Sequence, residues 1–489
     1  MRCVRVNADP FAQMKTGMFM ATAKGVDNAS AAVAQPRDTA WRSAYAPEVE
    51  RARTAEAMGR VLDAAESASP VEAVESVTGV LGLALGASSV SFLIADLSGR
   101  GLVRLAHVPL QVSKDPADHT PAALGERRAL EERATVLPFD GGPAEQAVRG
   151  QRVQVLAPDS EFAEPGQADQ WRVLAPVTER GEVIGLLEFL LPEEPNGVAT
   201  AEIAQLAHLL AFVVIANRRH TDLYEWGQRT RPLSLSAEIQ HRLLPGPQTC
   251  EAGAFTLAGW LEPAAGIAGD TFDFNIARDL LHLSMTDAMG HGVAAALSAT
   301  LCVGSLRNTR NEGASLLEQV TAANLALVEH SAGAGLEDFV TGLIGRVDLR
   351  TGSIALVNAA HVSPYLARGT DVTAVDLPVD LPLGLFAETS YRSTTLRLAP
   401  GDRLVLVTDG MLERNAAGLD LARAIADTRM LHPREAVRDL ADRVLAVTGD
   451  VLADDATVLC LDWRGGHGRD RRTVHGADRV EPHPGRGPS

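Results

Sequence analysis

The fold of the second half of this chain is decided by one stretch, Leu280-Leu-His-Leu-Ser-Met-Thr-Asp287-Ala-Met-Gly290-His-Gly292. Its apolar run, residues 280–285, predicts a buried strand that ends just before Asp287. Gly290 and Gly292 predict a tight turn and a close approach of the helix expected at residues 291–308. The stretch therefore predicts a carboxylate held at the end of a strand.

Three more acidic motifs lie in the same half of the chain. They are Gly269-Asp270-x-x-Asp273, Thr408-Asp409-Gly410 and Asp454-Asp455-x-Thr457. Apolar runs adjoin two of them, since residues 404–407 precede Asp409 and residues 458–461 follow Asp454. Each motif alone is typical of a turn or a solvated pair. Carboxylates at strand ends can converge, however, and Mg²⁺ and Mn²⁺ prefer oxygen ligands, so the four acidic motifs together predict a two-metal hydrolase.

Composition narrows the classes of protein and partner. The 489 residues are 46% hydrophobic, which favours two or three globular domains. A net charge of -17 argues against nucleic acid or an anionic membrane as partner. The four cysteines show no metal-ligand or disulfide spacing, and the apolar run at residues 206–216 is shorter than the roughly 20 residues that span a bilayer. We expect a cytoplasmic protein.

Lysine usage excludes several enzyme classes. Lys15, Lys24 and Lys114 are the only lysines, and none lies in the second half. A Walker loop, a kinase phosphate-binding lysine and a Schiff base therefore have no candidate there.

The chain divides into five predicted segments: a disordered arm at 1–50, a sensory domain at 51–220, a helical linker at 221–248, a catalytic domain at 249–463 and a disordered tail at 464–489. In the sensory domain a helix at 70–83 precedes a hairpin of strands at 90–95 and 102–107. A second hairpin, at 173–177 and 183–190, precedes a closing helix at 203–217.

This order resembles a GAF sensory domain. The likeness rests mainly on Leu174-Ala-Pro-Val177 and on Gly181-Glu-Val-Ile-Gly185-Leu-Leu-Glu188. The resemblance implies a small ligand of unknown identity. The alternative is a generic mixed α/β module that only dimerises.

The linker contains one amphipathic helix. Ser234 or Ser236 can cap it, Pro245 ends it, and its apolar stripe is formed by Leu235, Ile239, Leu243 and Leu244. Two interpretations stay open: the helix packs on its own domain, or it is a signalling helix that pairs across a dimer or leans on the catalytic core. We expect a homodimer.

The catalytic segment alternates strands with pairs of helices. Strands are predicted at 255–261, 280–285, 339–347, 354–358 and 404–407, and helices at 291–308, 315–330 and 433–448. This order predicts two packed sheets with helices outside, an α-β-β-α sandwich in an α/β (α+β) protein.

Residues 243–463 resemble the PPM-type metal-dependent protein phosphatases, in the bacterial SpoIIE-like subgroup. The likeness is carried by the acidic motifs and by Leu243-Leu-Pro245, Asp348-Leu-Arg-Thr-Gly352, Val357-Asn-Ala-Ala-His361, Pro382-Leu-Gly384 and Pro400-Gly-Asp402. The resemblance implies a serine/threonine phosphatase that acts on a partner-switching regulator, an anti-sigma-factor antagonist, under control of the sensory domain. The alternatives are an inactive regulator that binds phosphoproteins and an enzyme that hydrolyses a small phosphorylated metabolite.

The resemblance also implies roles for individual residues at two Mn²⁺ or Mg²⁺ ions. Asp287 would bridge the ions, Asp270 and the backbone carbonyl of Ala288 would bind one, and Asp409 and Asp454 would bind the other. Asp273 and Asp455 would orient these ligands.

Two departures from the family affect catalysis and phosphate binding. Eukaryotic members carry a His where this chain has Met289, and residues 263–269 supply no Arg for the substrate phosphate. His291 is a candidate for the proton donor, and the alternative is an ordinary residue of the first helical turn.

Overall fold

The computed structural model describes residues 56, 58–110, 136–162, 169–230, 232–264, 269–334, 338–412, 419–449, 452–466, 470, 471, 473 and 475–478. They belong to one compact unit, Thr54–Ser489. The predicted arm at residues 1–50 lies outside the described residues.

The first domain is built on one six-stranded antiparallel sheet with the order β3-β2-β1-β6-β5-β4. Its strands are β1 (Ser89–Ala95), β2 (Gly101–Pro109), β3 (Val136–Pro138), β4 (Gln154–Leu156), β5 (Trp171–Glu179) and β6 (Glu182–Leu191), and its helices are α1 (Ala73–Leu85), α2 (Pro143–Gly150) and α3 (Gly197–Asn217). Both predicted hairpins, β1–β2 and β5–β6, are present.

Helix α3 is long and apolar enough to cross a membrane by length and composition alone. Its residues Ile203, Leu206 and Leu210 are buried in the core that α3 and α1 form with one face of the sheet. Asn196 caps the helix by accepting a hydrogen bond from the Ala199 N–H. These contacts describe a core helix of the first domain.

The linker forms two helices, α4 (Leu223–Gln228) and α5 (Leu235–Leu243). Ser234 caps α5, as predicted, through its side chain to the Ala237 N–H. Ile239 and Leu243 of α5 pack in a core of the catalytic domain, so this part of the linker leans on the catalytic core.

The second domain contains two six-stranded sheets. One has the order β15-β12-β11-β10-β9 with β16 paired to β12, and the other has the order β14-β13-β17-β18-β8-β7. The strands are β7 (Thr249–Glu251), β8 (Phe255–Glu262), β9 (Asp270–Ala277), β10 (Leu280–Ala288), β11 (Val340–Asp348), β12 (Ser353–Ala359), β13 (Tyr365–Arg368), β14 (Asp371–Ala374), β15 (Val379–Asp380), β16 (Ser393–Arg397), β17 (Arg403–Val407) and β18 (Ala456–Trp463).

Four helices cover the outer faces of these sheets: α6 (Gly292–Asn311), α7 (Leu316–Ala334), α8 (Leu421–Asp427) and α9 (Pro433–Thr448). One apolar core, which includes Phe272, Leu283 and Leu461, lies between the sheets. Helices α6 and α7 pack on the β10–β12 side, and α8 and α9 pack on the β17–β18 side. The predicted α-β-β-α sandwich is confirmed.

The two domains of this unit meet along a seam around Glu251, the last residue of β7. Its backbone N–H donates to the Arg180 carbonyl in the β5–β6 turn, with a distance of 3.0 Å. Its buried carboxylate accepts from His432 Nε2 at 2.8 Å and pairs with Arg471 Nη2 at 2.6 Å.

The tail contributes to the same seam. The Asp478 N–H donates to Glu251 Oε1 at 2.9 Å, and the Gly476 N–H donates to Thr178 Oγ1 at 3.1 Å. The prediction of a disordered tail from residue 464 is therefore wrong for the described tail residues up to Asp478. These residues are ordered by partners outside the tail, such as the buried carboxylate of Glu251.

Candidate metal centre

The acidic motifs stand at the ends of strands from both sheets. Asp270 is the first residue of β9, and it is the cross-strand partner of Asp287 near the end of β10. Asp409 follows β17 and begins a 3₁₀ turn, Asp409–Met411, while Asp454 and Asp455 precede β18. All four acidic motifs adjoin strands, whereas the sequence predicted a neighbouring strand for only three of them.

Direct contacts bring the two sheets together at this edge. The hydroxyls of Thr408 and Thr457 donate to Asp270 Oδ2, at 2.7 Å and 2.6 Å. Gly410 packs so tightly on the carbonyl of Asp455 that an added Cβ would overlap it. The four motifs therefore form one cluster.

Glycine also sets the position of the predicted carbonyl ligand. A Cβ added to Gly269 would lie 2.6 Å from the carbonyl oxygen of Ala288 and 3.4 Å from Asp287 Oδ1. The Ala288 N–H donates to the Gly269 carbonyl at 3.2 Å. Only glycine lets the first acidic motif approach the second this closely.

The cluster carries negative charge that its own side chains do not neutralise. Burial, together with Asp409, Asp454 and Asp455, raises the pKa of Asp287 to about 7. Burial and the charges of Asp287 and Asp455 raise the pKa of Asp270 well above its usual value.

The other two shifted carboxyls follow the same rule. Burial and the charge of Asp409 raise the pKa of Asp454. Burial, with the charge of Asp454, raises the pKa of Asp455 to about 6. Each charged group that causes these shifts is another carboxylate, which is the electrostatic setting that a cation stabilises.

The donor set fits a hard divalent cation. Asp409 is exposed and Asp287 and Asp454 are half-buried, so carboxylate oxygens, the Ala288 carbonyl and water are available together. Among the described residues, however, no group of three or more His, Cys, Asp or Glu side chains is arranged to hold a metal ion.

The turn after Asp287 has the backbone that its glycines predict. Gly290 and Gly292 have φ of +93° and +75°, which favours glycine. An added Cβ at either position would meet nothing within 4 Å, so the backbone conformation is what favours glycine at these positions. Met289 is 40% exposed beside Asp287, and the exposed His291 is the N-cap of α6.

Asp273 does not join the cluster. Its carboxylate pairs with Arg307 at 2.8 Å and with Arg310 at 3.0 Å, both on α6. Residues 270 and 273 of a strand point to opposite faces, so only Asp270 faces the other sheet. The prediction that Asp273 orients the metal ligands is therefore wrong, and Asp273 anchors α6 instead.

Asp455 has the environment of an orienting group. It is 1% exposed, and its Oδ1 accepts from the Ala264 N–H at 2.8 Å. Its Oδ2 accepts from Gln240 Nε2 at 2.6 Å. This role of Gln240 was not predicted from the sequence. The only signal was the polar face that Ser236 and Gln240 form beside the apolar stripe of α5.

Comparison with protein families gives one match. Residues 277–464 match the family model of Stage II sporulation protein E (SpoIIE). This part of the second domain is therefore similar to the SpoIIE family. The matched residues include Asp287, Asp409, Asp454 and Asp455 and begin after Asp270.

Curated relatives include two proteins of Bacillus subtilis. The phosphoserine phosphatase RsbU is 24% identical over 238 residues, which are 47% of this chain and 69% of RsbU. The phosphoserine phosphatase RsbP is 22% identical over 219 residues, 44% of this chain and 52% of RsbP. One similar solved structure contains the PP2C phosphatase domain and a fragment of the regulatory domain of SpoIIE, also from Bacillus subtilis. It is 19% identical, and the match covers 43% of this chain and 64% of that chain with a TM-score of 0.38.

Proposed function

We propose that this chain is a metal-dependent protein serine/threonine phosphatase that hydrolyses phosphoserine or phosphothreonine on a signalling partner. The observation that supports this proposal is the cluster of carboxylates where the two sheets of the second domain meet. The charges that raise the pKa values of Asp270 and Asp287 all belong to other carboxylates of this cluster. Bound cations would stabilise a cluster of this kind.

Each carboxylate has a role in this proposal. Asp287 would be shared by two Mn²⁺ or Mg²⁺ ions, Asp270 and the Ala288 carbonyl would hold one of them, and Asp409 and Asp454 would hold the other. When bound, two such ions lower the pKa of a water molecule and neutralise phosphoryl charge. Asp455, Thr408 and Thr457 hold the carboxylates in place through the hydrogen bonds described above.

The first domain would control this activity. Its single antiparallel sheet with helices packed on it supports a GAF-like sensory domain for an unidentified small ligand. As the family resemblance implies, the substrate would be a phosphorylated anti-sigma-factor antagonist. We place the protein in the cytoplasm as a homodimer, with neither nucleic acid nor membrane as partner.

The competing function is a regulator that binds phosphoproteins without hydrolysing them. All four acidic motifs are retained and clustered, which favours the enzyme. Mn²⁺-dependent hydrolysis of p-nitrophenyl phosphate and of a phosphoserine peptide tests the choice, with the full chain compared with Asp287→Asn and Asp409→Asn.

Asp279→Asn is the matched control, because Asp279 lies in the β9–β10 turn at the far end of the hairpin and pairs with Arg350. Turnover lost in the first two variants and kept in the control supports the phosphatase. Phosphopeptide binding by the wild type without turnover in either metal would establish the regulator instead.

A further inference from the structure

His361 lies in the turn that carries the chain from one sheet of the second domain to the other. The turn follows β12 in the first of these sheets and leads to β13 in the second. His361 is 6% exposed, and its Nδ1 lies 2.9 Å from the hydroxyl oxygen of Thr341 on β11. A buried imidazole therefore contacts the sheet that carries Asp270 and Asp287.

Two hydrogen bonds and an unusual backbone conformation fix this turn. The His361 N–H donates to Asn358 Oδ1 at 2.7 Å, and Asn358 Nδ2 donates to the His361 carbonyl at 3.0 Å. Ala360, between them, has φ of +57°, which residues with a side chain rarely adopt. Strained backbone of this kind persists only where the surrounding structure fixes it, and it clusters at functional sites. The turn therefore places the His361 side chain at a conformational cost.

Thr341 lies beside the carboxylate that we assign to both ions. Thr341 of β11 is directly opposite Asp287 of β10, and Asp287 is directly opposite Asp270 of β9. Side chains at directly opposite positions of antiparallel strands share a face, with Cβ atoms about 5 Å apart. The Thr341 side chain therefore borders the carboxylate cluster on the face that meets the other sheet.

The other side of the imidazole lies at the second sheet. Strand β13 pairs with β17, with Tyr365 opposite Val405, so the turn before β13 lies at the end of β17. Burial lowers the pKa of His361 to about 4, and the backbone of Val407, the last residue of β17, partly opposes this lowering. Asp409 follows two residues later. The ring is therefore neutral and lies between the strand ends of the two sheets.

One hydrogen bond holds the ring in this place. Nε2 is buried and has no well-aligned partner among the described residues, so the Thr341 hydroxyl is the side-chain group that orients the imidazole. A change at either member of this pair would let the two strand ends shift relative to each other.

We propose that His361 is a positioning residue for the metal centre: held by Thr341, it sets the spacing between the strand ends that carry Asp287 and Asp409. The inference rests on the proposed function, because it concerns the same carboxylates. In this role His361 contacts neither substrate nor ions and acts only through the strands on either side of it.

Replacing His361 with Phe keeps a flat ring and removes the nitrogen that meets Thr341. His282→Phe is the matched control, since His282 is 8% exposed, lies on β10, and also has its pKa lowered to about 4 by burial. The charges near His282 include those of Arg310 and Asp273, which lie outside the carboxylate cluster.

Calorimetric titration of the full chain with Mn²⁺ measures the effect. Loss of a group that orients metal ligands typically weakens metal binding about 10- to 100-fold, and we expect a Kd increase in that range for His361→Phe. His282→Phe should bind Mn²⁺ as the wild type does. His361→Asn should recover part of the affinity, because its side-chain amide can accept from or donate to the Thr341 hydroxyl at the position of Nδ1.

A double-mutant cycle separates positioning from packing. Thr341→Val keeps the shape of the side chain and removes the hydroxyl that meets His361, so it should weaken Mn²⁺ binding as well. If the two residues act through their hydrogen bond, His361→Phe should have a smaller effect on Mn²⁺ affinity in the Thr341→Val background than in the wild type. A packing role would give the same factor in both backgrounds.

Equal Mn²⁺ affinities in His361→Phe and His282→Phe, or a cycle without coupling, would overturn the proposal. Either result differs from a failure of the proposed function, in which the wild type itself would neither bind Mn²⁺ nor hydrolyse p-nitrophenyl phosphate.

Discussion

The Thr408 hydroxyl donates a hydrogen bond to Asp270 Oδ2 at 2.7 Å, which joins the end of β17 in one sheet to the start of β9 in the other. The same hydroxyl oxygen accepts from the Thr457 N–H at 3.0 Å. Thr408 is fully buried, so these bonds have no competition from water. The Thr408 hydroxyl, together with that of Thr457, therefore fixes the Asp270 carboxylate across the interface between the sheets.

Replacing Thr408 with Val should destabilise the metal-free protein by about 2–3 kcal/mol. Valine keeps the shape but removes the donor to a buried carboxylate and the acceptor for a backbone N–H, and hydrogen bonds to charged groups contribute more than neutral ones. Urea unfolding in EDTA measures the loss. Thr286→Val, which breaks only the neutral hydroxyl pair with Thr271, should cost about 1 kcal/mol. Equal losses in the two variants would contradict the special role of the carboxylate.

Gly410→Ala should disrupt the centre more than any loss of a single hydrogen bond. Its added Cβ would overlap the Asp455 carbonyl, and backbone on both sides must move, at a cost of about 2 kcal/mol or more. We expect weaker Mn²⁺ binding and a lower melting temperature. Gly304→Ala is the control, because Gly304 is exposed within α6 with open space around its Cα, and it should gain up to about 1 kcal/mol. Unchanged Mn²⁺ binding in Gly410→Ala would contradict the packing argument.

Strong local patterns explain the elements that the sequence predicted well. Helix α9 has its predicted bounds, residues 433–448, because Pro433 starts it and Gly449 ends it with φ of +72°. Strand β17 was predicted within one residue from its continuous apolar run. The clustering of Asp270, Asp287, Asp409 and Asp454 followed from their common position at strand ends.

The remainder depended on contacts between residues far apart in the chain. Asp273 was misassigned because an acidic motif does not show which face of a strand each carboxylate occupies. The polar face of α5 did not reveal the role of Gln240, since its partner Asp455 lies in a different part of the sequence. The order of the tail up to Asp478 depends in the same way on Glu251 in β7.

Removing the charge of Arg471 should loosen the seam between the domains. Arg471→Ala leaves the buried Glu251 carboxylate without a cation 2.6 Å away, which we expect to cost about 2 kcal/mol in urea unfolding. Adding Glu251→Gln should recover part of the loss, because a neutral amide needs no counter-charge, and the double-mutant cycle measures the coupling. Arg350→Ala, at an exposed pair with Asp279, should cost less than about 1 kcal/mol. A cycle with no coupling would show that Arg471 and Glu251 act independently.

The seam should also weaken as the pH falls, because His432 is held neutral there. Its Nε2 faces Glu251 Oε1 at 2.8 Å, and its Nδ1 accepts from the Arg434 N–H at 3.3 Å, so the ring has no free nitrogen for a second proton. Burial lowers the pKa of His432 below its usual value of 6.5. The unfolded chain therefore binds the proton more readily, and the stabilisation by His432 is present above pH 6.5 and is lost as the pH falls toward the lower pKa.

His432→Gln keeps an N–H donor toward Glu251 and cannot titrate. The unfolding free energy of the wild type, relative to this variant, should fall between pH 7 and pH 5 by at most about 1.4 kcal/mol per pH unit. A flat difference for His432→Gln would mean that the ring accepts a proton within the folded seam.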